Sequence, residues 1–192
     1  MQLRKVAWRT KLLAGAGGFL AATISLGYSL YEQREAEIVP KIAAATSVDA
    51  GRWKVSIIAS AVASEMPNGA RISVGKQAIV VDMLLENISA ESSNLYGELI
   101  TLSNVPDAPK PQYYLTRDRA ILWDLQPRIS ETVKAVWEVP AELALPAILQ
   151  LRIEGSHFKP RDNLYAAPGW FPSGSIAEVS LPLEGVAPRA RP

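Results

Sequence analysis

The sequence predicts an all-β fold: one antiparallel β-sandwich preceded by a single N-terminal transmembrane helix. Three observations support this. Residues Leu12 to Tyr31 are uncharged and follow a basic segment. Between Arg52 and Leu183, apolar and polar residues alternate in short runs, which is the pattern of half-buried strands. Proline and glycine separate these runs, and none of them has a helical period.

The N-terminal run Leu12–Tyr31 has the length of a membrane helix. Twenty residues at about 1.5 Å each span about 30 Å, the thickness of the hydrocarbon core. Residues 1–11 form a basic tail whose charges are Arg4, Lys5, Arg9 and Lys11. Because basic residues favour the cytoplasmic side, we expect residues 1–11 in the cytoplasm and the remainder of the chain outside.

A cleaved secretory signal is the alternative for this segment. The motif Ser25-Leu26-Gly27 follows an apolar run and offers the small-x-small pattern of a cleavage site, which would release the domain into the periplasm. The uncharged run continues past this motif to Tyr31, which favours an uncleaved anchor. The ladder Ala14, Gly18 and Ala22 is of the kind found where helices meet. Because the segment is rich in Ala and Gly, this ladder leaves a homodimer open without supporting one.

Residues 32–51 are predicted to form a stalk and linker. The stretch EQREAEIV can extend the helix as far as Pro40, where proline ends it, and Lys41 to Gly51 has the character of a linker. The sandwich is predicted over residues 52–183. Residues 184–192, which include GVAPRARP, are predicted to be a disordered tail.

The predicted strands are short and regularly interrupted. In order, they are Arg52–Val62, Gln77–Asn87, Asn94–Leu102, Gln112–Thr116, Ala120–Trp123, Glu131–Val139, Ile148–Glu154 and Ile176–Leu183. Seven or eight such strands with polar residues on one face indicate two antiparallel sheets, since parallel strands would be apolar on both faces. An immunoglobulin-like sandwich is the natural arrangement.

Three motifs occur in the order typical of one group of such sandwiches. They are VVDMLLENIS (Val80–Ser89), Leu125-Gln126-Pro127 and WEVP (Trp137–Pro140). In this order the chain resembles the telokin-like and other immunoglobulin-like extracytoplasmic domains of bacteria. Arg128 stands where that pattern commonly has glycine. The resemblance implies an architecture more than a function. With the N-terminal segment, we expect a place at the bacterial inner membrane, with the domain periplasmic or extracellular.

Composition excludes several function classes. Four of the 20 basic residues and none of the 19 acidic residues precede Leu12, so 16 basic and 19 acidic residues remain beyond it. This mildly acidic balance argues against nucleic-acid binding, which needs a dense basic patch. It also disfavours strong attraction to anionic lipid headgroups. The chain has no cysteine, which excludes disulfides and thiolate chemistry.

No motif predicts catalysis, a metal or a cofactor. His157 is the only histidine, and no Gly-x-Ser-x-Gly motif accompanies it. The stretch GARISVGK (Gly69–Lys76) lacks the spacing of a phosphate loop, and the aspartates lack the spacing of a calcium loop. We therefore predict no enzyme, although one sequence leaves open a pair of carboxylates that would make a glycoside hydrolase.

The best candidate site is the connection His157–Ser175. Loops longer than about 15 residues in compact domains are usually functional or disordered. The candidate partner-binding residues are Arg161, Tyr165, Trp170 and Phe171, which are residue types that anchor protein interfaces. The alternative is that Trp170 and Phe171 fold back and cap the core.

The leading functional hypothesis is a membrane-anchored, non-enzymatic domain that binds another envelope protein, as an accessory or structural subunit of a complex. The alternative is a carbohydrate- or glycolipid-binding module, in which Tyr113, Tyr114, Trp123 and Trp170 supply stacking surfaces.

Overall fold

A computed structural model describes residues 39–162, 164 and 166–185. These residues form nine β-strands and no helix, so the all-β prediction is confirmed. The strands are β1 Lys41–Ile42, β2 Ser47–Asp49, β3 Trp53–Ala63, β4 Lys76–Asn87, β5 Ile100–Leu102, β6 Gln112–Leu115, β7 Ser130–Pro140, β8 Ile148–Lys159 and β9 Gly169–Glu184. Within the described part, no helix is long and apolar enough to cross a membrane. The predicted tail 1–11 and span 12–31 lie outside it.

The strands form two sheets that share β9. One sheet has the order β3-β4-β7-β6, with β2 beside β3, and the other has the order β5-β8-β9, with β1 beside β9. At its far end β9 pairs in parallel with β3, where Leu183 lies opposite Ser60, so this edge joins the sheets. The order is consistent with the four-plus-three arrangement of an immunoglobulin-like sandwich.

Alternate residues of both sheets meet in one buried core. On β3 the residues Trp53, Val55 and Ile57 are buried, as their period of two predicts. The core takes a comparable set from each long strand, including Ile79, Val81, Met83, Leu85, Val133, Ala135, Trp137, Val139, Leu149, Leu151, Ile153, Ala177, Val179 and Leu181. Because these side chains come from both sheets and form one cluster, the chain is a β-sandwich.

Several predicted elements differ from those observed. The third run is a strand only over Ile100–Leu102, because a turn precedes it in which the Leu99 amide bonds to the Tyr96 carbonyl. The run Ala120–Trp123 makes a single bridge, between Ile121 and Tyr114, instead of a strand. The predicted linker contains β1 and β2. Both are too short to show a period, and they exist through pairing with β9 and β3.

Asn87 ties together the end of β4 and two loops. Its side chain is fully buried, and its amide nitrogen donates to the carbonyls of Glu91 at 2.7 Å and Leu125 at 2.8 Å. Its amide oxygen accepts from both the amide and the hydroxyl of Ser89. Its main-chain carbonyl accepts from the Arg128 amide, and Arg128 has a φ of 60°, the left-handed conformation that glycine adopts more readily.

We predict that Asn87→Ala lowers the free energy of unfolding by about 2–4 kcal/mol, because buried polar groups left without partners cost about 1–3 kcal/mol each. The thermal midpoint, followed by circular dichroism, should fall by more than about 5 °C. Asn68→Ala is the control, since the Asn68 side chain also bonds to a main-chain amide but lies exposed. Equal shifts for the two variants would contradict the prediction.

Candidate functional site

A cleft of about 720 Å³ lies beside β5, at the end of the sandwich where β3 begins. One wall is the segment from Leu95 through β5 to Pro111, and the opposite wall is formed by Glu154–Ser156 and Trp170–Gly174. Arg52, Trp53 and Trp137 also line it. The cleft therefore combines the start of β3, the ends of β8 and β9, and the connections on either side of β5.

The second wall is the base of a two-stranded ribbon. Over residues 155–174, which we call the β8–β9 arm, the two strands pair with each other and with no other strand of the described part. The pairing shifts register between Ile153 and Glu154 and again between Gly155 and Ser156. Such irregularities bend a strand and increase its twist. The predicted loop 157–175 is thus mostly strand, and only residues 160–168 connect β8 to β9.

A close main-chain contact holds the arm against the start of β3. The Ser156 amide donates to the Ala50 carbonyl at 2.9 Å, and the Arg52 amide donates to the Ser156 hydroxyl at 3.2 Å. Between them, Gly51 has a φ of 87°, and a β-carbon there would lie 1.7 Å from the Ser156 carbonyl oxygen. Only glycine fits this position, because the positive φ disfavours other residues and because the Ser156 carbonyl leaves no room for a β-carbon.

Arg52 and Trp170 meet across this contact. The Arg52 guanidinium carbon lies 5.2 Å from the centroid of the Trp170 ring, within the range of a cation–π interaction. The Arg52 Nη1 atom donates to the Ser93 hydroxyl at 3.0 Å. Burial lowers the pKa of Arg52 and nearby Glu91 opposes this, and the group keeps its charge because a guanidinium does not deprotonate in proteins.

A chain of aromatic rings lies in the core beside the cleft. Trp53 contacts Tyr96 edge to face with centroids 5.7 Å apart, and Tyr96 contacts Tyr113 in the same way at 4.8 Å. The Tyr96 hydroxyl donates toward the carbonyls of Leu122 and Trp123. Burial, with a smaller contribution from Asp124, raises the pKa of Tyr96 to about 12, so its hydroxyl remains a proton donor. These contacts pack Trp53, which lines the cleft, against buried rings of the core.

Charged groups lie on the cleft walls. Lys110 and Glu98 form an exposed ion pair on the β5 side, and the hydrogen bond from Lys110 lowers the pKa of Glu98. On the opposite wall, the Glu154 carboxylate accepts hydrogen bonds from the hydroxyls of Ser175 at 2.9 Å and Thr101 at 3.2 Å. The cleft thus offers an apolar interior with fixed charges of both signs.

Two of the four predicted partner-binding residues line this cleft. Trp170 and Phe171 are half-buried in the arm, and neither belongs to the core or packs against it. They do not cap the core. Arg161 is exposed in the 160–168 connection and does not line the cleft, while Tyr165 lies outside the described residues.

The stacking residues expected for a sugar-binding module are not brought together. Tyr113 and Tyr114 are 3% and 2% exposed, so they are inaccessible to a ligand. Trp123 is 75% exposed but is not among the residues that line the cleft. In the described part, no three residues of the types His, Asp and Glu lie together where they could hold a metal ion.

No family model matches the sequence, and no curated protein matches it. Among solved structures, the chain is similar to the crystal structure of an uncharacterized β-sandwich protein from Clostridium difficile 630. The similarity covers 70% of this chain and 94% of that chain, with 10% sequence identity and a TM-score of 0.44. Both are β-sandwiches. At this identity, the similarity carries no information about function.

We predict that Gly51→Ala disrupts the cleft. Gly69→Ala is its matched control, because Gly69 has a φ of 80° but a β-carbon there would meet nothing within 4 Å. The control should lose about 1–2 kcal/mol of stability from backbone strain alone. Gly51→Ala should lose at least about 2 kcal/mol more, because the Ser156 main chain must move away. Chemical denaturation measures both, and equal losses would contradict the close contact.

We predict that Trp170→Ala costs about 1–2 kcal/mol of stability, the value of its cation–π and aromatic contacts. Trp137, which is 1% exposed, is the matched residue in the core. Trp137→Ala should cost about 3–5 kcal/mol, because it leaves a cavity. Similar losses in thermal unfolding would mean that Trp170 is a core residue after all.

Proposed function

We propose that this chain is a membrane-anchored, extracytoplasmic immunoglobulin-like domain that binds a protein partner through its cleft and catalyses no reaction. Its place is the bacterial inner membrane, with residues 1–11 in the cytoplasm, as an accessory or structural subunit of an envelope complex. The basic tail, the uncharged run 12–31 and the resemblance to telokin-like and related domains support this. If the run is instead cleaved, the same cleft would act in the periplasm.

The observation that carries the proposal is the composition of the cleft. Arginine, tryptophan and tyrosine are the residues that most often dominate protein interfaces, and they do so in partly enclosed, rigid surroundings. Here Arg52 lies against the half-buried Trp170, and Phe171 and the exposed Leu95 line the same cleft. A partner that covers these groups would exclude water from a preformed charged and aromatic surface.

The walls favour a protein segment over a sugar. Stacking on a sugar needs an open aromatic face, and Arg52 covers one face of Trp170 while Phe158 contacts the same ring with centroids 5.4 Å apart. Apolar groups and fixed charges of both signs suit a loop that carries apolar side chains between polar ones. Of the stacking residues expected for the carbohydrate- or glycolipid-binding alternative, Trp123 is the one with an openly exposed ring, and it does not line the cleft.

Photo-crosslinking in cells that naturally make the chain tests the proposal. A benzophenone amino acid replaces Leu95, which is 70% exposed and lines the cleft. We predict one discrete adduct that contains peptides of a second protein and whose size glycosidases leave unchanged. The added variant Trp170→Ala should reduce this adduct at least about tenfold, the loss expected from about 1.4 kcal/mol of binding energy.

Val74 is the control position, since it is fully exposed in the turn between β3 and β4, at the opposite end of the sandwich. The same photoreactive residue there should give no adduct. An adduct at Leu95 that contains no second protein and shrinks on glycosidase treatment would favour the carbohydrate-binding alternative. An adduct that is unaffected by Trp170→Ala would show that the partner binds elsewhere.

A further inference from the structure

Arg52 is a half-buried cation that forms no ion pair with any described residue. Among the described residues, the other cation that lines the cleft is Lys110, and it is paired with Glu98. Other basic residues of this part of the chain also lack an ion pair, but all of them are exposed, so water solvates their charges. They are Lys54, Arg71, Arg119, Arg128, Lys159 and Arg161. Arg52 differs from them because its charge is partly removed from water.

The guanidinium of Arg52 uses few of its donor groups. A guanidinium carries several N–H groups in a fixed planar fork. Among the described residues, Arg52 donates one hydrogen bond from this group, from Nη1 to the Ser93 hydroxyl at 3.0 Å. Its Nε atom is buried and donates to no acceptor there. The Ser93 hydroxyl and the Trp170 ring, whose centroid is 5.2 Å from the guanidinium carbon, hold the group in place at the cleft.

The described part of the domain does not compensate the partial burial of this charge. Burial lowers the pKa of Arg52, and Glu91, which forms no ion pair with it, opposes this only in part. A charge that is withdrawn from water costs free energy unless an opposite charge approaches it with good geometry. A bound group that brings a negative charge and hydrogen-bond acceptors to Arg52 would supply both of the missing contacts.

The walls of the cleft favour a carboxylate over a phosphate. Glu98, Asp107 and Glu154 line the same cleft, and they would repel the greater negative charge of a phosphate more strongly. Since Lys110 is neutralised by Glu98, Arg52 would meet that charge without help from a second cation of the described lining. A carboxylate carries a single charge, and its two oxygens match the planar fork of a guanidinium.

We infer that Arg52 binds a carboxylate of the partner protein, which enters the cleft on an otherwise apolar segment. This rests on the proposed function, because it names the group of the partner that the cleft recognises. The carboxylate belongs to an aspartate or glutamate side chain or to the C-terminus of the partner. Apolar side chains beside it lie against Leu95, Trp170 and Phe171, which line the same cleft. Because these contacts exclude water, they strengthen the attraction between the carboxylate and Arg52.

Photo-crosslinking of the full chain, with the benzophenone amino acid at Leu95, tests the role of Arg52. Arg52→Gln removes the charge and should reduce the adduct with the second protein at least about tenfold, because loss of one member of a desolvated interfacial charge pair is costly. Lys54→Gln is the matched control. It removes the same charge from the same strand, but Lys54 is exposed and does not line the cleft, so the loss should stay below about twofold. Equal losses would mean that net charge matters and not Arg52, which overturns the inference.

Variants of the partner test the carboxylate itself. The peptides in the adduct identify the partner, and each aspartate or glutamate of its crosslinked segment is changed to asparagine or glutamine. One such change should reduce the adduct as much as Arg52→Gln, and the combined variant should lose no more than either alone. If a single glycine added to the end of the partner chain has this effect instead, the group is the C-terminal carboxylate. If none of these changes reduces the adduct, the inference is overturned.

The outcomes separate this inference from the proposed function. If the chain with wild-type Arg52 gives no adduct with a second protein at Leu95, the proposed function fails and the inference fails with it. If that adduct forms but Arg52→Gln leaves it unchanged, the cleft binds a protein and the carboxylate assignment is overturned. Thermal unfolding followed by circular dichroism shows whether Arg52→Gln is folded. The partner variants leave this chain unaltered, so they decide the question even if Arg52→Gln lowers its stability.

Discussion

The cleft depends on the main-chain contact between Gly51 and Ser156. It joins the segment that begins β3 in one sheet to β8 of the other, through hydrogen bonds between Ser156 and both Ala50 and Arg52. A side chain at Gly51 would occupy the position of the Ser156 carbonyl. Because this contact fixes where the arm leaves the sandwich, it also fixes the distance between Arg52 and Trp170.

The two ends of the sandwich are built differently. At one end, parallel pairing of β9 with β3 joins the sheets directly. At the other end, the sheets are linked by the hydrogen bonds of Ser156 with Ala50 and Arg52. Because such contacts involve few residues, the two sheets can separate beside them and leave the cleft open. Continuous strand pairing would hold the sheets together along its length. The open end is therefore where a ligand surface can form without loss of the core.

The side chains of the cleft differ energetically from those of the core. Trp137 borders both and is fully buried, so its packing supports the fold. Trp170 and Phe171 are half-exposed and held by contacts with Arg52 and Lys159. Since exposed contacts contribute little to stability, substitutions in the arm can change the lining of the cleft while the fold is kept.

Local pattern in the sequence determined the long strands β3, β4 and β7, because each half-buried strand repeats its burial every two residues. These three were predicted almost to their ends on this basis, whereas the arm halves of β8 and β9 were predicted as a loop, and Trp170 and Phe171 were proposed as partner-binding residues by residue type alone. The short strands β1, β2 and β5 carry too few residues to show a period and exist only through their partners. The cleft was decided by tertiary structure alone. Arg52 has the local pattern of the first residue of a strand, and Gly51 that of an ordinary turn glycine. Their roles arise from contact with Ser156, which lies 104 residues from Arg52 along the chain, and no local pattern records which distant segment a residue will meet.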